Sequence, residues 1–279
     1  MKDFTVYINE KLKITKKMLS PKKILTPKTK NDLIIMIIDE VKSVDESGLL
    51  DLNHIDVSNI DNLNSVFHKK HFPDNEIMLD IDISSWKLDQ VDDMEFLFYN
   101  DKINSIILPD TKKLDEYLFH NCENLTEAIL PASLEEIENY FMDYCKKLKT
   151  IEIPDSVKKI GCSAFRNCSS LTNVILPDSI TNMREDVFSN CENLKSIKLS
   201  KKLEALEYDM FLYCSNLEEV YLSNNIKHIE NNVFDSCKKL TKIHYDGTIS
   251  EWSKIKLSNN WLEFSAVKEI ICNDGTVNC

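Results

Sequence analysis

The run FRNCSSLTNVILPDSI, Phe165–Ile180, decides the fold, because it recurs at a fixed interval. From Cys168, steps of 23 residues land on Cys145 and Cys122 in one direction and on Cys191, Cys214 and Cys237 in the other. A constant period marks a chain built from copies of one structural unit, each burying its apolar edge against the next. With the cysteine as position zero, position three is leucine in every copy: Leu125, Leu148, Leu171, Leu194, Leu217 and Leu240. Position six holds Ala128, Ile151, Val174, Ile197, Val220 and Ile243, and position eight Leu130, Ile153, Leu176, Leu199, Leu222 and Tyr245. Two apolar residues separated by one other are the inward face of a short strand. Proline follows in three copies (Pro131, Pro154, Pro177), then Ser200, Ser223 and Asp246, residues that end strands or open turns.

A second apolar pair at positions 12 and 15, for example Val157/Ile160 and Ile180/Met183, closes each copy. Three residues before each cysteine stands Phe119, Met142, Phe165, Phe188, Phe211 or Phe234. The pattern predicts stacked 23-residue coils whose strands, about 4.8 Å apart, form a sheet on the order of 25 to 30 Å long. Residues 103–122 supply a partial coil with the same Leu108, Pro109 and Phe119 marks. Upstream, IDVSNIDNLNSVF at 55–67 and WKLDQVDDMEFLF at 86–98 align at a 31-residue shift and read as two longer, divergent repeats. Leu33, Ile34, Ile37, Ile38 and Val41 have helical spacing, which predicts a helix over 31–50 capping the N-terminal edge.

The consensus, roughly FxNCxxLxxIxLPxSxxxI and best seen at 164–180, resembles the BspA-like leucine-rich repeat family. Residues 245–279 resemble that family's closing segment, with Tyr245, Gly247, Thr248, Trp252, Trp261, Cys272, Asp274, Gly275 and Thr276 in order. The expected fold is an α/β leucine-rich solenoid with caps at both ends. Its expected segments are a basic arm at 1–30, the helix and longer repeats at 31–102, the repeats proper at 103–245 and a C-terminal cap at 246–279. The resemblance implies binding or adhesion at a surface, to a protein or a glycan, without chemistry or cofactor. Two alternatives stay open: a structural component of a larger assembly such as a virus particle or surface layer, and an intracellular scaffold.

Composition bounds the function further. The chain is 43% apolar and 29% charged with only four glycines, the profile of a folded chain. Residues 1–30 carry nine lysines against Asp3 and Glu10, so the body is more acidic than the net charge of −12 indicates. An acidic body repels phosphate, so nucleic acid is not an expected partner. No apolar stretch precedes Lys11, and LIIMII at 33–38 is too short to span a bilayer. A cytoplasmic location is therefore the default, whereas the family resemblance implies a surface or virion.

The cysteine ladder admits three readings. Zinc requires closely spaced ligands that converge on a point. Disulfides require Cβ atoms about 3.8 Å apart, closer than side chains carried in parallel by neighbouring coils. Buried thiols require nothing further, and that is the reading adopted. Cys272 and Cys279 leave a tail disulfide or free thiols open, and HKKH at 68–71, with His54 nearby, lacks the companions of a metal site. Neither phosphate-loop nor GxSxG, HExxH or CxxC patterns occur, so no enzyme activity is expected.

The candidate site is therefore the outward face of the strands, positions five and seven. Ile129, Glu152, Asn173, Ile175, Lys198, Glu219, Tyr221, Lys242 and His244 are the residues singled out, with Ile129, Ile175 and Tyr221 as exposed apolar contacts.

Overall fold

The computed structural model describes residues 22–72 and 77–279. Lys2, Lys11, Lys13, Lys16 and Lys17 of the basic arm lie outside the described residues. The chain is a β-solenoid of stacked coils with few helices, as the period predicts. First strands of successive coils pair in parallel, with Thr150–Glu152 on Asn173–Ile175 and Ser196–Lys198 on Glu219–Ser223, which in turn meets Lys242–Asp246. On a second side the shorter strands Glu136–Ile137, Lys159–Ile160 and Asn182–Met183 form another parallel ladder, continued by Ala205–Leu206, His228–Ile229 and Lys256–Leu257.

Three tight turns per copy bend the coil around its core. The amide of Cys168 reaches back to the Phe165 carbonyl, that of Leu171 to Cys168, and that of Ile180 to Pro177. Proline at the third place donates no ladder hydrogen bond, and so it closes the strand while its carbonyl still accepts. The third side carries two left-handed residues per copy, at positions minus five and minus one, with φ between 54° and 64° in all six repeats. Asn121, Asn167, Asn190 and Asn232 suit that conformation, but Tyr117, Tyr140, Tyr144 and Tyr213 occupy it too. These corners turn alternate amides toward the next coil: Tyr117, Phe119 and Asn121 donate to the carbonyls of Asn139, Phe141 and Asp143 at 3.1, 2.8 and 2.9 Å.

Inside, the six ladder cysteines, the six position-three leucines and the phenylalanines three residues before the cysteines are all fully buried. Phe165, Phe188, Phe211 and Phe234 stack in a column with centroids 5.6, 5.7 and 5.5 Å apart. Where Met142 interrupts it, Phe141 fills the space and meets Phe119 edge-on at 5.4 Å. Each cysteine has a use that its own coil does not reveal. The Sγ–H of Cys145, Cys168, Cys191, Cys214 and Cys237 donates to the carbonyl of the residue 26 positions earlier, at 3.1–3.4 Å, and Cys122 donates to Phe98. All nine thiols are free.

The N-terminal cap differs from expectation in length. Helix α1 spans Lys30–Lys42 rather than extending toward residue 50. A Thr29/Asp32 capping box starts it, Ser43 ends it, and Gly48, in the left-handed region at φ 74°, leads into a strand at Leu49–Asp51. Leu33, Ile34, Ile37 and Val41 bury one stripe on the core, while Ile38 is only half-buried. The 31-residue shift is the spacing of stacked coils: Leu49 pairs with Asp80, and Asn62 with Asp93. The partial coil is one residue tighter than the 23-residue repeats after it, Ser105 pairing with Glu127. At the other end helix α2, Ile249–Trp252, packs Trp252 onto Tyr245, and the antiparallel hairpin Glu269–Cys272/Gly275–Asn278 extends the first-strand sheet by pairing in parallel with Lys242–Asp246. Cys272 sits at the turn of that hairpin and Cys279 beyond its open end, so they do not meet.

Burial raises the thiol pKa of every ladder cysteine, those of Cys122 and Cys237 from 9.0 to about 12. Thiol titration should therefore label exposed Cys279 at once and the six ladder cysteines only on unfolding. A thiol that keeps its proton longer when folded contributes fully below pH 9.0 and loses that contribution as pH rises toward 12. The urea midpoint should thus fall above about pH 9, each thiol contributing about 1.4 kcal/mol per pH unit, and Cys145→Ala/Cys168→Ala should flatten that fall.

Candidate functional site

Successive coils place like positions side by side, so the outward residues of the first strands form two columns running the length of the sheet. One carries Lys198, Tyr221, His244 and Ile271 as direct cross-strand partners, and the other Ser196, Glu219, Lys242 and Glu269. The structure gathers the C-terminal members of the candidate set into one group. The rings of Tyr221 and His244 stack at 4.4 Å, 11° from parallel. Tyr221 Oη donates to Glu219 Oε2 at 2.6 Å, and His244 Nε2 lies 3.7 Å from Glu219 Oε1. The hydroxyl holds the Glu219 carboxyl below its ordinary range, and the carboxylate in return pushes the Tyr221 phenol up. Beside this group lies a depression of about 360 Å³ lined by Lys198, Lys201, Tyr221, His244, Asp246 and Asn273.

The N-terminal members do not gather in this way. Glu152 pairs with Ile175 across the sheet and Thr150 with Asn173, without hydrogen bonds between the paired side chains. Ile175 is 69% exposed, the most open aliphatic side chain on the sheet. Ile129 is a correction: it is half-buried rather than exposed, in a strand whose three residues are all half-buried and which pairs with Ile103–Ile107. In the inward rows Ala128 and Leu176 are likewise only half-buried.

The histidines upstream serve the fold. His68 Nδ1 accepts the Lys70 amide at 3.0 Å and its ring stacks on Tyr99 at 5.0 Å, while His54 Nε2 lies 2.9 Å from Glu40 Oε1. Among the described residues no group of three His, Cys, Asp or Glu side chains has the arrangement of a metal centre. No helix among them is long and apolar enough to cross a membrane.

The left-handed side of the coils carries features that attention to the strands alone misses. Asp143 is fully buried, with Arg166 bound to its two carboxylate oxygens at 3.2 and 2.8 Å and Asn167 Nδ2 at 3.1 Å. The hydrogen bond to Asp143 raises the Arg166 pKa. The sequence does hold a signal for this pair, since acid and base stand one period apart. The same interval relates Lys112 to Glu135, Glu123 to Lys146, Glu136 to Lys159 and Glu204 to Lys227, each an ion pair across neighbouring coils.

A leucine-rich solenoid is thus the class that these coils define. The family model for the BspA type leucine rich repeat region matches in six copies, over residues 94–160 and 138–262, more than half of the chain. The chain belongs to that family. Among solved structures it is similar to a leucine-rich repeat protein from Bacteroides ovatus, at 24% identity over 62% of this chain and 56% of that one, TM-score 0.44. It is also similar to a leucine rich repeat protein from T. pallidum, at 23% identity over 70% of this chain and 79% of that one, TM-score 0.48. A leucine rich cell surface protein from Faecalibacterium prausnitzii matches at 22% identity over 73% and 69%, TM-score 0.47. This chain spans 56% of the length of the Bacteroides protein. No curated protein matches the sequence.

Removing one partner of a buried ion pair strands the other charge. Arg166→Leu should lower stability by about 3–5 kcal/mol, and adding Asp143→Leu should recover most of it. Urea denaturation of both variants measures this, and an equally low double variant would show that the loss comes from packing instead.

Proposed function

We propose that this chain is a non-enzymatic binding module that takes a protein partner on the outward face of its first-strand sheet. The observation that carries the reading is the Tyr221–His244 stack, fixed by Glu219 and rimmed by Lys198 and Lys242, on a side of the coils that also presents Ile175. Aromatic rings locked by neighbours lose little freedom on binding, and charges around them give orientation. The residues that hold the fold all point inward, so the outward columns are free to vary without cost to the core. Adhesion at a cell surface is the finer form of the same reading, supported by the family and by the printed description of the Faecalibacterium protein.

The test is capture of a partner by crosslinking, identified by mass spectrometry, and then measured with the purified partner. Tyr221→Ala/His244→Ala should weaken capture about ten-fold or more, and Ile175→Asp by several-fold, each with an unchanged melting temperature. Equal affinity in all three proteins would place binding elsewhere on the molecule.

A further inference from the structure

The depression of about 360 Å³ beside the Tyr221–His244 stack has a charged rim at odds with a chain of net charge −12. Lys198 and Lys201 stand at one end, and Asp246 and Asn273 at the other, two strands further on. Between them lies Ser223, buried, its hydroxyl donating to the Lys201 carbonyl at 3.2 Å. Both lysines are exposed, and among the described residues neither forms an ion pair. Elsewhere a lysine meets an acid one period away, as Lys159 meets Glu136 at 3.2 Å and Lys227 meets Glu204 at 2.8 Å. Lys198 has no such acid, because Ile175 and Tyr221 stand one period to either side. Lys201 has Asp178 one period before it, but Asp178 Oδ1 accepts the Lys201 backbone amide at 3.1 Å.

The stack favours the same sign of ligand. Tyr221 and His244, stacked at 4.4 Å, cover one face of each other and turn their edges away from the sheet. A ring edge is the positive part of its quadrupole, so it suits an anion. Glu219, the carboxylate of this group, is held by Tyr221 Oη at 2.6 Å and lies 3.7 Å from His244 Nε2. Two unpaired lysines and an outward ring edge therefore converge on a space that holds no acid at that end.

We infer that the partner on the sheet face presents an acidic segment, one aspartate or glutamate carboxylate entering the depression between Lys198 and Lys201 against the edge of Tyr221. This names the chemistry of the partner in the sheet-face reading and rests on that reading. Ile175, one coil before Lys198 and 69% exposed, favours a polypeptide over an acidic sugar, because it offers an aliphatic surface and nothing for hydroxyl groups to bond. An aliphatic side chain two residues from the acid shares its face of an extended segment and reaches Ile175. Asp246 sets the limit at the other end. Two steps of about 4.8 Å from the lysines, it repels a second carboxylate and accepts an amide or hydroxyl instead, so a single acid fits better than a run of acids.

The probe is the peptide Gly-Ser-Leu-Ser-Glu-Ser-Gly with blocked ends, titrated into the isotope-labelled full chain and followed by amide chemical shifts. The amides of Lys198, Tyr221, Ser223 and His244 should move and saturate. Glutamine in place of the glutamate should weaken binding about five-fold, and a run of glutamates there should not tighten it. Lys198→Gln/Lys201→Gln should also weaken binding about five-fold. Lys158→Gln/Lys159→Gln removes the same charge from the second side and should leave it within about two-fold. Glucuronic acid at the peptide's concentration should not displace it. Absence of saturable shifts, equal binding of the glutamine peptide, tighter binding of the glutamate run, an equal loss in the Lys158/Lys159 variant or displacement by glucuronic acid would overturn the inference. A captured partner that depends on Tyr221 and His244 but not on Lys198 and Lys201 would overturn it too while leaving the sheet-face reading in place, whereas indifference to all four would remove both.

Discussion

Every buried group in this molecule must fit against its own copy one coil away, and the rest of the structure follows from that constraint. At position zero the requirement is severe. The space is small, lined by leucine and phenylalanine, and faces a carbonyl of the preceding coil that already accepts one amide, as Phe119 does from Cys122. Alanine would fill part of the space and leave the second lone pair of that carbonyl without a donor. Serine would supply the donor but is less apolar. Cysteine is small, apolar and a weak donor together, which accounts for its return at each step without invoking reactivity. The raised pKa values of these thiols express the same burial.

The left-handed corners are the second consequence of closing a coil in 23 residues. With four glycines in the chain, the corners fall to asparagine, aspartate, serine and tyrosine. A left-handed residue other than glycine is strained by about 1–2 kcal/mol. Asparagine offsets this with local hydrogen bonds, and Tyr117 and Tyr140 offset it by stacking on each other across neighbouring coils, worth about 0.5–1.5 kcal/mol. Rings are therefore tolerated in runs, as at Phe96, Tyr117 and Tyr140, where each has a neighbour to stack on.

The inward rows and the 31-residue spacing of the longer coils were legible in the sequence because each rests on side chains that repeat. What escaped reading depends on groups the sequence does not display. The acceptor for each thiol is a backbone carbonyl 26 residues earlier, invisible to side-chain patterns. The end of α1 is set by Ser43 and the turn at Gly48, although apolar residues resume at Leu49. Ile129 is outward by alternation, yet exposure follows from neighbouring coils, and its strand pairs with the tighter partial coil before it. Within the candidate site, alternation located Lys198, Glu219, Tyr221, Lys242 and His244 on one face. Their closeness came from adding the period, since Tyr221 and His244 are one coil apart. Asp143 and Arg166 stand one period apart in the same way.

A solenoid distributes these effects locally, and that bears on where function can reside. Each coil touches only its two neighbours, so a change in an outward column alters one step of the ladder and leaves distant coils as they were. The sheet face and the left-handed side are then independent surfaces on a common core. Core positions are held by self-complementarity, one residue type answering for six coils, whereas an outward position answers only to the coils beside it. Diversity along the outward columns, from Ile175 through Lys198 to Tyr221 and His244, therefore adds no strain to the core. The run of rings at Phe96, Tyr117 and Tyr140 is a different case, because its tyrosines occupy strained slots that serine, aspartate and asparagine fill in other coils. There each ring offsets the strain of its slot by stacking on the ring of the next coil, so the run holds together only as a run.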